Sequence, residues 1–277
     1  GSRVLRGALQ DACAVMLRDE DSARVAQDLA PGLSTAFSSP DLVFSLDWSQ
    51  LRSTGHATHG PSTPLHIGVA VKSLPSRHGR FQDVQHRLPN VLLKTLSEFA
   101  RKRSMKITVL PFATSDLTVA RELSESFRAA GLTVSPVPTP EIASLQETVS
   151  GLDCLLAVPL HASVFAFACG VPTIGLSYDS KIDRLYRAFE LERLCLPVQR
   201  LKAEHLGDRI HQVVGQGSSI RKQLIAQSRR MHKTTCNDVE RLLAPFGRPR
   251  EPAERGGENR LSSIAHQTRV CCEYARN

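Results

Sequence analysis

Two residues with useful acid–base and charge chemistry, His161 and Lys181, stand twenty positions apart in a stretch of alternating apolar segments. His161 closely follows the apolar segment 154–158, and Lys181 follows a second segment, 173–176. Both segments are predicted strands, and ligands of open parallel sheets bind outside the carboxyl ends of the strands. Histidine can act as a general acid near neutral pH, and lysine can hold a phosphate as a point charge. The pair therefore predicts an anion site beside a helix N-terminus, with a helix-capping histidine and a solvated lysine as the structural alternative.

The elements that must position these residues alternate between strand and helix from residue 65 onwards. The predicted strands cover 66–71, 106–110, 132–137, 154–158 and 173–176. The predicted helices cover 89–103, 117–130, 141–149, 161–169, 182–189, 203–214 and 218–244. This alternation predicts βαβ units, and therefore an α/β fold with a Rossmann-like parallel sheet and flanking helices.

The first part of the chain is less regular. The sequence predicts a helix from Val4, a strand at 13–17, a helix that ends near Leu29 and a short strand at 42–46. It does not show the strand, Gly-rich turn and helix with which a doubly wound domain usually begins. We therefore expect residues 1–47 to be the remnant of an N-terminal Rossmann-like domain that is largely missing. Residues 48–64 are predicted to be a linker, because they are rich in Ser, Thr, Gly, His and Pro. Residues 65–245 are predicted to form a C-terminal Rossmann-like domain. Residues 246–277, rich in Pro, Arg, Gly and Glu, are predicted to be a disordered tail.

Composition limits the class of protein. The chain has 277 residues, of which 41% are hydrophobic and 22% charged, as in an ordinary globular protein. The net charge of +8 suits anionic partners, although a generally basic protein background would give the same number. Aromatic residues make up 5%, which argues against a platform for single-stranded nucleic acid.

Cysteine usage and hydropathy bear on location and metals. The seven cysteines are scattered and contain no CxxC pair, which favours a reducing compartment over a zinc ribbon. There is no run of about 18 apolar residues and no secretory leader, so the predicted location is the cytoplasm, with the inner face of the membrane left open. His56 and His59 lie in the linker without a third ligand nearby, and no metal site is predicted.

The stretch around His161 and Lys181 resembles the C-terminal signature of the polysaccharide pyruvyl transferase family. The matching motifs are Leu160-His161-Ala162, Gly170-Val171-Pro172 and Ser177-Tyr178-Asp179-Ser180-Lys181. Two further stretches are similar to family turns, Leu17-Arg18-Asp19-Glu20-Asp21-Ser22 and Leu110-Pro111-Phe112 followed by Asp116. The resemblance extends over about residues 4–245.

The resemblance implies a GT-B-like architecture of two Rossmann-like domains and transfer of pyruvate from phosphoenolpyruvate to a sugar as a ketal. It implies His161 as the catalytic residue and three donor-binding residues, Arg18, Leu160 and Lys181. Ser177, Tyr178 and Asp179 are expected to line the site. The implied partners are phosphoenolpyruvate as donor substrate and a sugar or polyprenyl-linked saccharide of a cell-envelope polysaccharide as acceptor. Neither a cofactor nor a metal is expected.

The chain differs from the family pattern at two cations. Pro159 stands where the family has Arg before Leu-His, and Lys72 follows the strand 67–71 where Arg is common. Two alternatives stay open, a GT-B nucleotide-sugar glycosyltransferase and a degenerate, non-catalytic fragment. Nucleic-acid binding through Arg101-Lys102-Arg103 and Arg229-Arg230 is disfavoured, because no nucleic-acid motif accompanies those charges.

Overall fold

The structure is a computed structural model that describes residues 2–12, 14–33, 36–48, 63–72 and 82–244. The chain divides into two compact units, each treated separately below. The larger unit covers 48–228, and the smaller unit combines 1–47 with 229–277. Of the earlier predictions, the tail 246–277, Cys13, His56 and His59 lie outside the described residues.

The larger unit is built on a five-stranded sheet in which every pair of neighbours is parallel. The strands are β3 (Leu65–Val71), β4 (Met105–Pro111), β5 (Cys154–Ala157), β6 (Thr173–Ser177) and β7 (Cys195–Pro197). Their order across the sheet is β4-β3-β5-β6-β7. The predicted α/β fold with a Rossmann-like parallel sheet is therefore confirmed, and β7 is a strand that the sequence analysis did not find.

The central strands consist almost entirely of buried residues. Every residue of β5 and β6 is buried, and β3 exposes part of only His66. Parallel sheets covered by helices on their faces require continuous apolar strands of this kind, because neither face meets water. The cover includes the helix Leu117–Ala129, which packs on β3 and β4, and the helix Ala203–Gly215, which packs on β5 and β6.

The helices of this unit follow the strands in the order that βαβ units require. They are α3 (Gln82–Ala100), α4 (Leu117–Ala129), α5 (Ile142–Ser150), α6 (Leu160–Cys169), α7 (Ser180–Ala188), α8 (Ala203–Gly215) and α9 (Gly217–Leu243), of which only the part up to Ser228 belongs to this unit. The predicted helix 89–103 is placed wrongly, since α3 begins at Gln82 and contains Pro89 in its interior. The basic residues Arg101 and Lys102 follow the helix in a turn.

The predicted strand 132–137 is wrong. It is reduced to one parallel bridge between Val134 and Ile107 of β4. The Ile107 N–H donates to the Thr133 carbonyl oxygen at 2.9 Å and the Ser135 N–H donates to the Ile107 carbonyl oxygen at 2.8 Å, and the ladder ends there. The bridge still lies beside β4, where the third strand of the Rossmann order 3-2-1-4-5-6 belongs.

The smaller unit has a two-stranded parallel sheet in its N-terminal part. Its elements there are α1 (Ser2–Asp11), β1 (Val15–Leu17), α2 (Glu20–Leu29) and β2 (Ala36–Ser38), with a 3-10 helix at Leu42–Ser45. A small apolar cluster forms around Leu9, Ala26 and Ala30. The strand predicted at 42–46 is therefore wrong: the Asp41 side chain accepts a hydrogen bond from the Val43 N–H at 3.1 Å and starts a helical turn instead.

The two compact units divide the chain after Asp47 and again after Ser228. Trp48, at the start of the predicted linker, is buried in the larger unit against Phe165, with ring centroids 5.3 Å apart. The second half of α9 groups with the N-terminal residues, because His232 Nδ1 lies 2.8 Å from the Phe44 carbonyl oxygen. Arg241 adds a cation–π contact 4.6 Å from the centre of the Phe37 ring.

Candidate functional site

The strand order of the larger unit reverses between β3 and β5. The chain leaves β3 for β4 on one side and then returns to place β5 on the other side. In open α/β sheets the crevice at such a switch point, outside the carboxyl ends of the strands, is the usual ligand site. Lys72 follows β3 at this point, and residues 158–161 follow β5.

Helix α6 presents its N-terminus to this crevice. It begins at Leu160, after Pro159 as the N-cap, and Pro159 supplies no side-chain hydrogen bond to the first turn. The helix is buried from Ala162 onwards, whereas Leu160 is half-buried and His161 is exposed. The free N–H groups of a first helical turn and the helix dipole favour an anion at this end.

The orientation of His161 follows from the packing of α6. Phe165, one turn later on the same helix face, makes an edge-to-face contact with Phe112 at a centroid distance of 5.6 Å. Phe112 comes directly after β4. The face of α6 that carries His161 is therefore the face turned toward the segment after β4, and an aromatic cluster that includes Trp48 supports it.

Hydrogen bonds between residues close in sequence hold the segment that follows β6. Ser177 is buried, and its hydroxyl donates to the Asp179 carbonyl oxygen at 3.3 Å. The Asp179 side chain accepts a hydrogen bond from the Lys181 N–H at 2.9 Å and thereby caps α7. The Lys181 side chain is exposed in the first turn of α7. Asp179 thus has a helix-capping role in addition to the predicted place beside the site.

Tyr178 makes the contact that links two sides of this edge. Its half-buried ring lies under Lys72, with the ammonium nitrogen 5.5 Å from the ring centroid. Together with His161 and Lys181, these residues follow three neighbouring strands, β3, β5 and β6. The arrangement can hold a small anion with two ammonium groups and a helix N-terminus, next to an imidazole that can exchange a proton.

Arg18, the third predicted donor-binding residue, belongs to the smaller unit. It follows β1, and its guanidinium lies 3.6 Å from an Asp41 carboxylate oxygen. In the same motif Asp19 caps α2, accepting hydrogen bonds from the Ser22 N–H at 2.9 Å and the Ser22 hydroxyl at 3.0 Å. Asp19 and Ser22 therefore hold the start of α2, whereas Arg18 of the same motif faces Asp41.

Lys72 lies at this edge of the sheet but is not among the site residues predicted from the sequence. Its position directly after a buried strand is the signal that places it there. Lys72 also lines a mainly apolar cavity of about 200 Å³ between α3 and α4, whose other lining residues include Val71, Leu88, Leu92 and Leu123.

Cys195 lies near the end of β6 but is unsuited to nucleophilic chemistry. It pairs with Gly175 in the β6–β7 ladder, and its thiol donates a hydrogen bond to an Asp183 carboxylate oxygen at 3.4 Å. Burial, followed by that carboxylate, raises the pKa of the thiol to about 12. The thiol is therefore protonated at neutral pH, and the thiolate is the reactive form.

The residues that the structure describes contain neither a metal-binding cluster nor a membrane-spanning helix. No group of three or more His, Cys, Asp or Glu side chains there is placed to hold a metal ion. None of the helices in those ranges combines the length and the apolar character needed to span a bilayer.

These features define an α/β protein with a Rossmann-like sheet of the type found in GT-B glycosyltransferases. The family model described as polysaccharide pyruvyl transferase matches residues 2–180, which is more than half of the chain. The protein belongs to the polysaccharide pyruvyl transferase family. No curated protein matches the sequence significantly.

Several solved structures share the fold at low sequence identity. A putative UDP-N-acetylglucosamine 2-epimerase from Listeria monocytogenes has a TM-score of 0.58 at 11% identity, over 85% of this chain and 60% of that one. Anabaena Alr3699/HepE, in complex with UDP and glucose, has a TM-score of 0.52 at 12% identity, over 88% and 67%. Acinetobacter baumannii MurG has a TM-score of 0.50 at 14% identity, over 88% and 70%. A Thermobaculum terrenum O-GlcNAc transferase mutant was also matched, with a TM-score of 0.47 at 17% identity, and this chain covers only 36% of its length.

Proposed function

We propose that the protein transfers pyruvate from phosphoenolpyruvate to a sugar of a cell-envelope polysaccharide or its lipid-linked precursor, giving a ketal. The observation that carries this proposal is the set of groups at the carboxyl edge of the sheet: Lys72, the N-terminus of α6 with His161, and Lys181. Membership of the pyruvyl transferase family supports the same reaction.

The charges at this edge suit the donor. Phosphoenolpyruvate is a small anion with a carboxylate and a phosphate, and charge-assisted hydrogen bonds to such groups are the strong ones. The N–H groups of α6 offer fixed donors, and the ammonium groups of Lys72 and Lys181 offer mobile positive charge. Leu160 contributes its backbone N–H at the first position of the helix.

The reaction balances with the groups of the donor and two sugar hydroxyls. A proton adds to the methylene carbon of phosphoenolpyruvate and makes the methyl group, while the adjacent carbon becomes oxocarbenium-like. The first hydroxyl oxygen bonds to this carbon, the phosphate leaves with the C–O bond electrons, and the second hydroxyl oxygen closes the ketal. Of the two hydroxyl protons, one is accounted for in the methyl group and the other in the phosphate. His161 either supplies the carbon-bound proton or assists phosphate departure.

Binding of phosphoenolpyruvate measured by titration calorimetry tests the donor site. The variant Pro159→Arg restores the cation that the family carries before Leu-His, and one charge-assisted bond is worth about 1.5–3 kcal/mol, or roughly ten- to a hundredfold in affinity. The variant is therefore expected to bind phosphoenolpyruvate more tightly. Unchanged affinity in Pro159→Arg, or no binding by either protein, would refute the donor site.

Turnover tests the role of His161. We expect His161→Ala to abolish phosphate release from phosphoenolpyruvate in the presence of polyprenyl-linked saccharides while keeping the fold. His205→Ala is the matched control, because His205 is an exposed histidine on α8, a helix that carries none of the predicted site residues. Loss of turnover in both variants, or in neither, would remove His161 from the mechanism.

A nucleotide-sugar glycosyltransferase is the second candidate. The Anabaena protein of similar fold was crystallised with UDP and glucose, and a helix N-terminus at a switch point can also hold a diphosphate. Binding of UDP without any binding of phosphoenolpyruvate would favour this candidate. The proposed location is the cytoplasm, with contact at the inner face of the membrane if the acceptor is lipid-linked, and nucleic acid is not an expected partner.

A further inference from the structure

The contact between Lys72 and Tyr178 bridges two strands that are not neighbours. Lys72 follows β3 and Tyr178 follows β6, and both strands flank β5 in the sheet. Neighbouring strands lie about 4.8 Å apart, so β3 and β6 are separated by roughly 9.6 Å. Since the Lys72 nitrogen lies 5.5 Å from the Tyr178 ring centroid, the two side chains together span the carboxyl end of β5, after which α6 begins.

The two partners differ in how firmly the backbone holds them. Tyr178 lies between Ser177, which is buried and paired with Pro197 of β7, and Asp179, which caps α7. The backbone that carries the Tyr178 ring is therefore held on both sides. Lys72, in contrast, carries its charge at the end of a long flexible side chain, which can rotate away from a ligand.

We propose that Tyr178 is a positioning residue, whose ring holds the Lys72 ammonium over the start of α6, next to His161. A cation within about 6 Å of an aromatic ring centroid is attracted to the ring face. An arginine at position 72 would carry a planar fork that aims itself, whereas the lysine of this chain gains its direction from the ring. The identity of the anion rests on the proposed function, but the contact between the two side chains does not.

The proposal separates the ring of Tyr178 from its hydroxyl. Tyr178→Leu removes the ring and keeps an apolar side chain, and it is expected to weaken phosphoenolpyruvate binding about three- to tenfold. Tyr178→Phe keeps the ring face and is expected to retain most of the wild-type affinity for phosphoenolpyruvate. Lys72→Met removes the charge, while Lys222→Met removes an exposed charge on α9 and is the matched control.

A double-mutant cycle distinguishes positioning of Lys72 from a general structural role of Tyr178. If the ring acts through Lys72, then Tyr178→Leu has no further effect on binding in the Lys72→Met protein. If the ring only supports the local fold, the two losses in affinity multiply. Multiplied losses would overturn the proposal. Thermal melting of each variant verifies that it is folded.

A second measurement tests the contact without any ligand. In a protein with carbon-13-labelled lysine, the ε-methylene signal that disappears in Lys72→Arg belongs to Lys72. We expect that signal to be shifted upfield by the ring current in the wild type and in Tyr178→Phe, and to lose the shift in Tyr178→Leu. The absence of this shift in the wild type overturns the proposal. A retained shift in a protein that binds no phosphoenolpyruvate overturns the proposed function and supports the contact.

Discussion

At the scale of single residues, two aspartates in motifs that resemble the family have structural partners. Asp19 caps α2 through the Ser22 N–H, and Asp179 caps α7 through the Lys181 N–H. Short acceptor side chains are preferred at this position because they satisfy an N–H that the helix leaves unpaired. Each motif therefore contains a residue that holds a helix start, beside a residue that is predicted to bind the donor: Arg18 in the first motif and Lys181 in the second.

Asp179 offers a direct test of this division. Asn caps a helix about as well as Asp, so Asp179→Asn is expected to keep the free energy of unfolding, whereas Asp179→Ala is expected to lose about 0.5–2 kcal/mol. Urea denaturation measures both. If Asp179→Asn were destabilised as much as Asp179→Ala, the carboxylate charge would matter more than the cap.

Cys195 makes stability sensitive to alkaline pH. Burial and the Asp183 carboxylate raise the pKa of its thiol from 9.0 to about 12 in the folded state. Stability from this raised pKa is fully present below the unfolded value and is lost as pH rises through the folded value. Cys195→Ser does not titrate in this range, so its free energy of unfolding should fall less than that of the wild type between about pH 8 and about pH 10.5. Equal falls in both proteins, measured by urea denaturation, would contradict the assignment.

At the scale of elements, the sequence predicts buried parallel strands well and short irregular segments poorly. β3, β5 and β6 are predictable because strands that are buried on both faces appear in the sequence as continuous apolar runs. Strands with one exposed face would instead alternate between apolar and polar residues. The segments 132–137 and 42–46 also contain apolar runs. The first pairs with β4 only through the bridge at Val134, and the Asp41 cap turns the second into a 3-10 helix. These outcomes depend on single hydrogen bonds, which hydrophobic periodicity does not report.

The candidate site was predictable only in part for a related reason. Positions after strand ends follow from the alternation of elements, so His161 and Lys181 could be placed near one edge. The strand order could not be read from the chain, and it is this order that puts β3 and β6 on either side of β5. Without the strand order, the contact between Lys72 and Tyr178 cannot be predicted from the sequence.

The packing of β6 against α7 depends on a glycine. A Cβ atom added at Gly175 would lie 2.5–2.9 Å from atoms of the Tyr186 ring and hydroxyl. Tyr186 is fully buried, within 3.2 Å of the Ser163 hydroxyl and 5.0 Å from the Phe167 ring centre, so the ring has little room to move. Gly175→Ala is expected to lower the free energy of unfolding by about 1–3 kcal/mol.

The matched control for this substitution is Gly215→Ala at the end of α8. Nothing lies within 4 Å of a Cβ added there, and alanine is the better helix former. Its free energy of unfolding should therefore be unchanged or up to about 1 kcal/mol higher. Similar losses in both variants, measured by urea denaturation, would mean that the Tyr186 ring yields or that the losses have another origin.

At the scale of the whole molecule, the two units differ in how much regular structure each buries. The larger unit holds five paired strands, and its β5 and β6 are buried throughout. In the described part of the smaller unit, the sheet has two strands of three residues, none of them buried. Two-stranded sheets are marginal by themselves, and segments with few buried contacts open at lower free-energy cost.

Hydrogen exchange of the full chain should reveal this difference as two levels of protection. We expect amides of β1 and β2 to exchange faster than amides of β5 and β6, because local opening of the smaller unit exposes less buried surface. His232→Ala removes the side-chain contact to the Phe44 carbonyl at 2.8 Å and should speed exchange in peptides covering 36–45, while peptides covering 154–177 keep their rate. His205→Ala, on α8 of the larger unit, should leave 36–45 unchanged. Equal acceleration of both regions in His232→Ala would mean that the chain opens as one cooperative body, since a local opening cannot reach strands that share no contact with the lost bond.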